Sequence, residues 1–380
     1  MSKQIKRESN IELLRIITML MIVMYHIIYH CVGEQLANAS LLHEPVVYKK
    51  MIILVVLYTF GHIGNNMFIL ISGYFMANRG KWGGNRVNIA KTSSKLLTQL
   101  AFATLVLFVA SFIAFYISFK LNTDVSFSVL QISKFNDASW YIGYYFVVIL
   151  IGALFLNDFL SGLDEKQYLA FCLAGFGVIS FGWSKTVVNS LASGALTLTT
   201  GLSLYSLGGF IRKFEPFKKV RSITFLLVIA LMYCLVASSH LAGVSMEIRD
   251  FYLNGGEGSI SHNIYIYGIN SFVPIIIPIC LFELFRRVNI SYSRGINYLG
   301  ASTLMVYLIH DNDFFRTIWK AKDWVTLLYE SPARFVIHLC IWSFGAFACG
   351  VGVYALYLLT GKGLKKLKPL LLDRETEKAL

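Results

Sequence analysis

Charged residues are scarce in this chain of 380 amino acids, and their scarcity excludes an ordinary soluble domain. Lys, Arg, Asp and Glu make up 14% of the sequence, whereas 56% of the residues are hydrophobic and the mean hydropathy is +0.62. A soluble domain carries roughly 25% charged residues, because its surface has to interact with water. The composition therefore predicts an integral membrane protein.

Zinc-type cysteine pairs, disulfide frameworks and internal repeats are also missing. The six cysteines are scattered, mostly inside apolar runs, without the spacing that either kind of site requires. No repeat period and no long linker divides the chain. We predict one integral-membrane domain over residues 1–365, followed by a mixed-charge tail over 366–380.

Long apolar runs are what the sequence has in abundance. The runs that are long enough to cross a bilayer lie at 11–32, 51–77, 95–119, 139–157, 167–183, 190–211, 223–241, 263–285, 297–313 and 333–360. They predict an all-α polytopic membrane protein with about ten transmembrane helices. Acidic residues around 158–165 fall on the predicted inner side, so the charge pattern does not locate the helix bounds between 158 and 211.

The basic residues indicate how the chain is oriented. The formal net charge is +13, and Lys and Arg are concentrated in the connections at 79–95, 212–221 and 286–294 and in the tail from 362. Cytoplasmic loops of membrane proteins carry such an excess. The basic charge is thus explained without nucleic acid as a partner, and both termini are predicted to be cytoplasmic.

The first apolar run contains ionisable groups that a lipid-facing helix would not carry. Arg15 and His26 are eleven residues apart, which places them on one face of a helix about 16 Å apart, and His30 follows one turn later. Arg15 could simply extend to the headgroups, and His26 could be a buried histidine bonded to a carbonyl. Each such group is costly inside a bilayer, so the polar stripe is a candidate functional site.

Two later runs carry polar groups at matching depths. The second run has Asn65, Asn66 and Ser72-Gly73-Tyr74, and the last three lie level with Arg15 if the run returns to the cytoplasm. Helix packing is the alternative reading for Asn66 and the nearby glycines. In the ninth run Tyr307 and His310 share a face, and His310 falls at a depth similar to that of His26.

These motifs, in this order, resemble the acyltransferase-3 family of bacterial integral-membrane O-acyltransferases that modify surface polysaccharides. The resemblance rests on Arg15-x10-His26, on Ser72-Gly73-Tyr74-Phe75 and on Tyr307-Leu308-Ile309-His310. The stretches Ser9 to Ile16 and Leu70 to Phe75 look like members from capsule or exopolysaccharide synthesis in Gram-positive bacteria. The chain departs from many members at Tyr145, where a glutamate is common, so that position supplies no carboxylate partner for the histidine.

The resemblance implies transfer of an acyl group, usually acetyl, from cytoplasmic acyl-CoA to a sugar hydroxyl at the bacterial cell membrane. It implies that Arg15 and His26 are the essential pair, that Ser72, Gly73 and Tyr74 form a second motif near the donor, and that His310 is the late histidine. Residues near the outer boundary are then candidates for contact with the glycan acceptor. These are His30, Asn65, Asn66, Trp140, Tyr141 and Tyr307, with interfacial anchoring as the alternative for Trp140 and Tyr141.

Elementary chemistry assigns compatible roles. A hydroxyl needs a base to become a nucleophile near neutral pH, and histidine titrates in the useful range. His26 is the candidate base, with His310 as a second base or as a proton or oxyanion donor. Arg15 suits the phosphates of coenzyme A. His26 and His30 are spaced like metal ligands, but no carboxylate shares their helix face, so we expect no metal.

Proteins of other classes also place ionisable groups inside membranes. A transporter or flippase for a polysaccharide or lipid-linked sugar could use the same stripe as a substrate or proton path. Transporters built from repeats show matching halves with broken helices, and this sequence shows no such halves. A non-catalytic scaffold would leave the stripe unexplained.

Overall fold

A computed structural model describes residues 8–38, 45–80, 86–122, 129, 140–181, 189–253 and 267–377 of the chain. Within these ranges the regular secondary structure is helical, and no strand is present. This confirms the predicted all-α class. The basic residues before position 8 and those within 81–85, which contribute to the predicted orientation, lie outside the described ranges.

The helices follow the predicted apolar runs closely. They are α1 Ser9–Ile27, α2 Gly33–Asn38, α3 Pro45–Met76, α4 Ile89–Leu121, α5 Trp140–Ile151, α6 Asn157–Gly162, α7 Glu165–Phe181, α8 Asn189–Phe214, α9 Ser222–Leu253, α10 Phe272–Arg287, α11 Arg294–His310, α12 Asp313–Lys320, α13 Trp324–Glu330 and α14 Pro332–Glu377. Each of the ten predicted runs overlaps a helix. The eighth, predicted at 263–285, is helical only from Phe272, and its residues 263–266 lie outside the described ranges. The short helices α12 and α13 were not predicted, and the ninth run ends as a helix at His310 instead of residue 313. The tail predicted from 366 continues α14 without a break.

Within the described residues, two segments of π-helix each join two α-helices into one longer rod. Ile28–Val32 joins α1 to α2, and Gly152–Leu156 joins α5 to α6. Counting through these segments, six described stretches are long and apolar enough to cross a membrane: Ser9–Leu36, Lys50–Met76, Ile89–Leu121, Trp140–Gly162, Ser222–Met246 and Pro332–Gly361. The chain is therefore a multi-pass membrane protein. Ten spans and cytoplasmic termini stay predictions.

Helix α1 lies at the centre of the bundle between α3 and α11. It runs antiparallel to α3, since Gly61 packs on Tyr25 and Gly64 packs on Ile22, while Arg15 lies near Phe75. It runs parallel to α11, because the Ser9 hydroxyl accepts hydrogen bonds from the Ser293 amide and the Asn297 side chain, both at 3.0 Å. These two neighbours bring the polar face of α1 to the interior.

The degree of burial separates inner helices from lipid-facing ones. In the spans of α1 and α3, 56% and 61% of the most apolar window is buried, whereas in the spans of α4 and α9 the share is 17%. Leu105, Phe112 and Phe119 of α4 are among the large exposed apolar side chains. Apolar side chains exposed along a spanning helix are stable in contact with lipid, so α4 and α9 are peripheral.

One glycine permits the closest approach between inner helices. A Cβ atom added to Gly73 of α3 would lie 1.9 Å from the carbonyl oxygen of Tyr205 in α8. The obstacle is backbone, which cannot rotate away as a side chain can. Gly73 thus serves helix packing, in the way that small residues do at membrane-helix interfaces.

We expect Gly73→Ala to lower stability by about 1–3 kcal/mol, because α3 and α8 must separate to admit the methyl group. The unfolding midpoint of the detergent-solubilised protein measures this. Gly345→Ala is the matched control, since a Cβ at that helical position meets nothing within 4 Å. An unchanged midpoint for Gly73→Ala would contradict the packing role.

Candidate active site

The C-terminal end of α1 and the turn that follows it present two histidines to the interior. His26 lies in the last turn of α1, and His30 lies within the π-helical segment that follows. Their rings stack with centroids 5.7 Å apart and planes 20° apart. Single π-helical turns are often found at functional sites, because the wider turn changes where the side chains point.

The end of α11 completes the cluster with a histidine and a carboxylate. His26 Nδ1 lies 2.8 Å from His310 Nε2, and both residues are buried. Asp311 follows directly, at the point where the backbone leaves the helix with φ −99° and ψ 79°. Its two carboxylate oxygens lie 3.4 Å from His26 Nε2 and 3.0 Å from His30 Nε2. His26 and His310, which were predicted to lie at a similar depth in the membrane, are therefore in direct contact.

The hydrogen bonds determine which nitrogen of His26 is available. His310 Nδ1 lies 2.9 Å from the Val306 carbonyl oxygen, which can only accept, so Nδ1 carries the proton. In neutral His310 the other nitrogen, Nε2, then accepts a hydrogen bond from His26 Nδ1. A neutral His26 consequently keeps its lone pair on Nε2, the nitrogen that faces Asp311. A proton taken up there produces an imidazolium beside a carboxylate.

Arg316 holds the carboxylate in place. Its Nη2 donates to Asp311 Oδ1 at 2.8 Å, and its Nε donates to the same oxygen at 3.3 Å. Arg316 belongs to α12, the short helix that the sequence did not predict. Neither Asp311 nor Arg316 was predicted as a site residue. The adjacency of Asp311 to His310 was the available signal for the carboxylate. The apolar pairs Phe314-Phe315 and Ile318-Trp319, four residues apart, indicate a short amphipathic helix around Arg316, but not its contact with Asp311.

The expectation of no metal rested on the absence of a carboxylate on the helix face of His26 and His30. The structure brings one in from α11, and the ligand atoms of His26, His30 and Asp311 all lie within 4.8 Å of one another. However, Arg316 already contacts the oxygen of Asp311 that faces His30. A bound cation would have to compete with that guanidinium, which favours an ion-paired cluster over a metal centre.

A cavity of about 190 Å³ lies between α1, α3, α4, α5 and α11. Its polar lining comes from Arg15, Ser72, Thr92, Lys95 and Thr303, and its aromatic lining includes Tyr141, Tyr145 and Tyr307. The ring of Tyr307 lies 5.7 Å from that of His310. The cavity therefore extends from the basic pair Arg15 and Lys95 towards the histidine cluster.

Arg15 and Lys95 form the basic part of the cavity. Arg15 Nη1 lies 3.2 Å from Glu12 Oε1, and the guanidinium is 5.9 Å from the centre of the Phe75 ring. For its buried Nε, no hydrogen-bond partner is found among the described residues. Lys95 was counted only among the orienting charges of the 79–95 connection, yet it lines the same cavity.

The second motif divides between the cavity and the packing interface. Ser72 lines the cavity, donates to the Phe68 carbonyl at 2.8 Å and accepts from the Tyr145 hydroxyl at 2.9 Å. Tyr145, the position without a carboxylate, is thus part of the cavity wall. Gly73 instead contacts α8, and the Tyr74 hydroxyl accepts from Arg212 at 2.7 Å. Of the three motif residues, only Ser72 faces the cavity.

The remaining predicted positions fall into two groups. Tyr141 lines the cavity, and its hydroxyl donates to the Asn65 carbonyl oxygen at 2.7 Å. Asn66 donates to the carbonyls of Ile269 and Pro274, both at 2.9 Å, and so ties α3 to the start of α10. This supports the packing alternative for Asn66. Trp140 begins α5 and is 48% exposed, in keeping with interfacial anchoring.

Comparison with known proteins accounts for nearly the whole length of the chain. The acyltransferase-3 family model, described as an acyltransferase domain, matches residues 8–358. Among curated proteins and solved structures, no significant match was found. The matched segment contains every helix that forms the cluster and the cavity. The chain therefore belongs to the acyltransferase-3 family, and it is a multi-pass membrane acyltransferase.

Proposed function

We propose that this protein is an O-acetyltransferase of the bacterial cytoplasmic membrane. It transfers acetyl from cytoplasmic acetyl-CoA to a hydroxyl of a cell-surface or lipid-linked polysaccharide, such as a capsule or exopolysaccharide. The observation that carries the proposal is the contact of His26 with both His310 and Asp311. The cluster lies next to Tyr307, which lines the same cavity as Arg15 and Lys95. A base and a basic anion-binding end are what the reaction requires.

His26 is the general base of the proposed reaction. Its Nε2 takes the proton of the acceptor hydroxyl as the hydroxyl oxygen attacks the thioester carbonyl carbon. The new C–O bond forms, the C–S bond breaks, and the thiolate of coenzyme A takes the proton back from His26. No proton is gained or lost overall.

The neighbours of His26 are positioning residues. His310 accepts from His26 Nδ1, which leaves the lone pair of neutral His26 on Nε2, the nitrogen beside Asp311. Asp311 lies 3.4 Å from Nε2, the nitrogen that takes the proton, so its negative charge stabilises the imidazolium that forms during the reaction. His310 is less suited to be the base, because its Nδ1 is committed to the Val306 carbonyl and its Nε2 to His26.

The basic end of the cavity suits the phosphates of the donor. Arg15 offers a planar guanidinium that can bind phosphate through two parallel hydrogen bonds, and Lys95 adds a second positive charge. Lined mainly by apolar and aromatic groups beyond Ser72, the cavity suits an extended thioester arm. Membership of the family favours this chemistry over the transport alternative, which would use the same polar groups as a path.

We expect His26→Gln to remain folded and to bind acetyl-CoA, while its transfer rate falls by about 10²–10⁴-fold, the usual contribution of a positioned base. Radiolabelled acetyl transfer to glycan by the purified protein measures the rate. His338→Gln, in α14, is the matched control and should retain activity; His30→Gln should have a milder effect than His26→Gln. Wild-type activity should also survive chelation of metals. A folded His26→Gln protein with a near-normal transfer rate would contradict the role of His26 and leave His310 as the candidate base.

Asp311→Asn keeps the size of the side chain but removes its charge. We expect the turnover number to fall about 10²-fold or more, since the imidazolium loses its counter-charge, while the affinity for acetyl-CoA stays near the wild-type value. Asp323→Asn, at the exposed N-terminus of α13, should be neutral because asparagine also caps helices. Equal turnover in the Asp311 and Asp323 variants would show that the carboxylate is only structural.

Substitution of Arg15 should act on the donor instead. Arg15→Lys keeps the charge but loses the planar fork, so we expect weaker acetyl-CoA binding, and Arg15→Ala or Lys95→Ala should weaken it by roughly tenfold. Calorimetric titration with acetyl-CoA measures the affinity. Arg294→Ala, exposed at the start of α11, is the control for general loss of positive charge. A normal affinity of Arg15→Ala for acetyl-CoA would show that Arg15 has only a structural role.

A further inference from the structure

A second cavity opens beside the histidine cluster at the opposite end of α1 from Arg15. Its volume is about 520 Å³, within the range of small-molecule sites. The end of α1 and its continuation contribute Tyr29, His30 and Glu34, and α12 contributes Asp313, Arg316 and Lys320. We refer to it as the outer pocket. At about 1.5 Å per residue, fifteen helical residues place His30 roughly 22 Å from Arg15 along α1.

The outer pocket is connected to the candidate base through one carboxylate. His30, which lines the pocket, lies 3.0 Å from Asp311 Oδ1, and the other oxygen of Asp311 lies 3.4 Å from His26 Nε2. Arg316 lines the pocket and binds the same carboxylate. A ligand in this pocket would therefore be separated from His26 only by His30 and Asp311, on the side away from the proposed donor cavity.

The charges that line the outer pocket are balanced. Two basic side chains, Arg316 and Lys320, lie among two acidic ones, Glu34 and Asp313. Each cation already has a carboxylate partner. Lys320 pairs with Glu34 at 2.5 Å, and Arg316 pairs with Asp313 at 3.4 Å and with Asp311 at 2.8 Å. A ligand carboxylate or phosphate would have to displace one of these acidic groups, so the pocket lacks the surplus positive charge that an anionic ligand requires.

The pocket also has an aromatic wall. Tyr29 is 44% exposed although it packs against Tyr25, with the two rings 5.7 Å apart and nearly parallel at 11°. This packing restrains the orientation of the Tyr29 ring. A restrained, partly exposed aromatic ring suits the C–H face of a sugar, while the ion-paired side chains around it offer donors and acceptors to hydroxyl groups.

We propose that the outer pocket binds an uncharged sugar residue of the acceptor glycan, with Tyr29 as its stacking platform. The proposal rests on the transferase function proposed above and adds the class of acceptor. A uronic acid, a sialic acid or a phosphorylated sugar is excluded from the position that receives the acetyl group. The hydroxyl of the bound residue approaches His26 from the side of His30.

The test uses purified full-length protein, acetyl-CoA, and surface glycan isolated from cells that lack the protein. Mass spectrometry of the product is expected to locate the new acetyl ester on an uncharged sugar residue. An ester on a residue that carries a carboxylate or phosphate would overturn the proposal. If the wild-type protein forms no ester at all, the transferase function itself fails, which is a distinguishable result because donor-dependent product is then absent with every variant.

A second measurement addresses Tyr29 itself. Tyr29→Ala is expected to raise the KM for the isolated glycan about tenfold, with the KM for acetyl-CoA changed less than twofold, and Tyr29→Phe should restore the glycan KM. Tyr116→Ala, on the outward face of α4 where the side chain is 54% exposed, is the matched control. An unchanged glycan KM in Tyr29→Ala, or an equal rise in Tyr116→Ala, would overturn the role of Tyr29.

Discussion

The buried carboxylate of Asp311 is the group on which the arrangement of the site depends. A carboxylate removed from water is stable only when charged or hydrogen-bonding partners surround it. Here the partners come from two other segments of the chain, the histidines from the end of α1 and Arg316 from α12. The same interactions that make the carboxylate tolerable hold three helices together. They also orient the nitrogen of His26 that we propose as the base.

Close packing of α1 makes that convergence possible. Glycines of α3 let α1 approach until Tyr25 and Ile22 rest on the backbone at Gly61 and Gly64. On its other side, α1 lies beside α11 and is tied to it at Ser9. Because the two helices run parallel with their starts aligned, residues at similar distances from those starts meet at their ends. His26 and His310 are such a pair.

The two cavities divide the proposed reaction between the ends of α1. A basic cavity near Arg15 and Lys95 suits an anionic donor, and a charge-balanced pocket near His30 suits an uncharged acceptor. In the proposed reaction this separation keeps the charged donor at the Arg15 end, because moving a charged group through the apolar interior is costly. The histidine cluster lies between the two cavities, so in the proposed reaction His26 takes the proton at the point where the two substrates meet.

The sequence by itself determined the helices and the depth of the polar groups, because both follow from the length of apolar runs and the fixed rise of a helix. It therefore predicted the ten helical runs, the shared face of Arg15 and His26, and the matching depth of His310. Only the tertiary structure decided which neighbours those groups have. Asp311 reaches His26 because the chain leaves its helix at that residue. Arg316 reaches Asp311 from a helix of eight residues, too short to be found as an apolar run, and Gly73 faces α8 and not the cavity. Contacts between residues hundreds of positions apart depend on how helices rotate and pack against one another, and local spacing carries no information about that rotation.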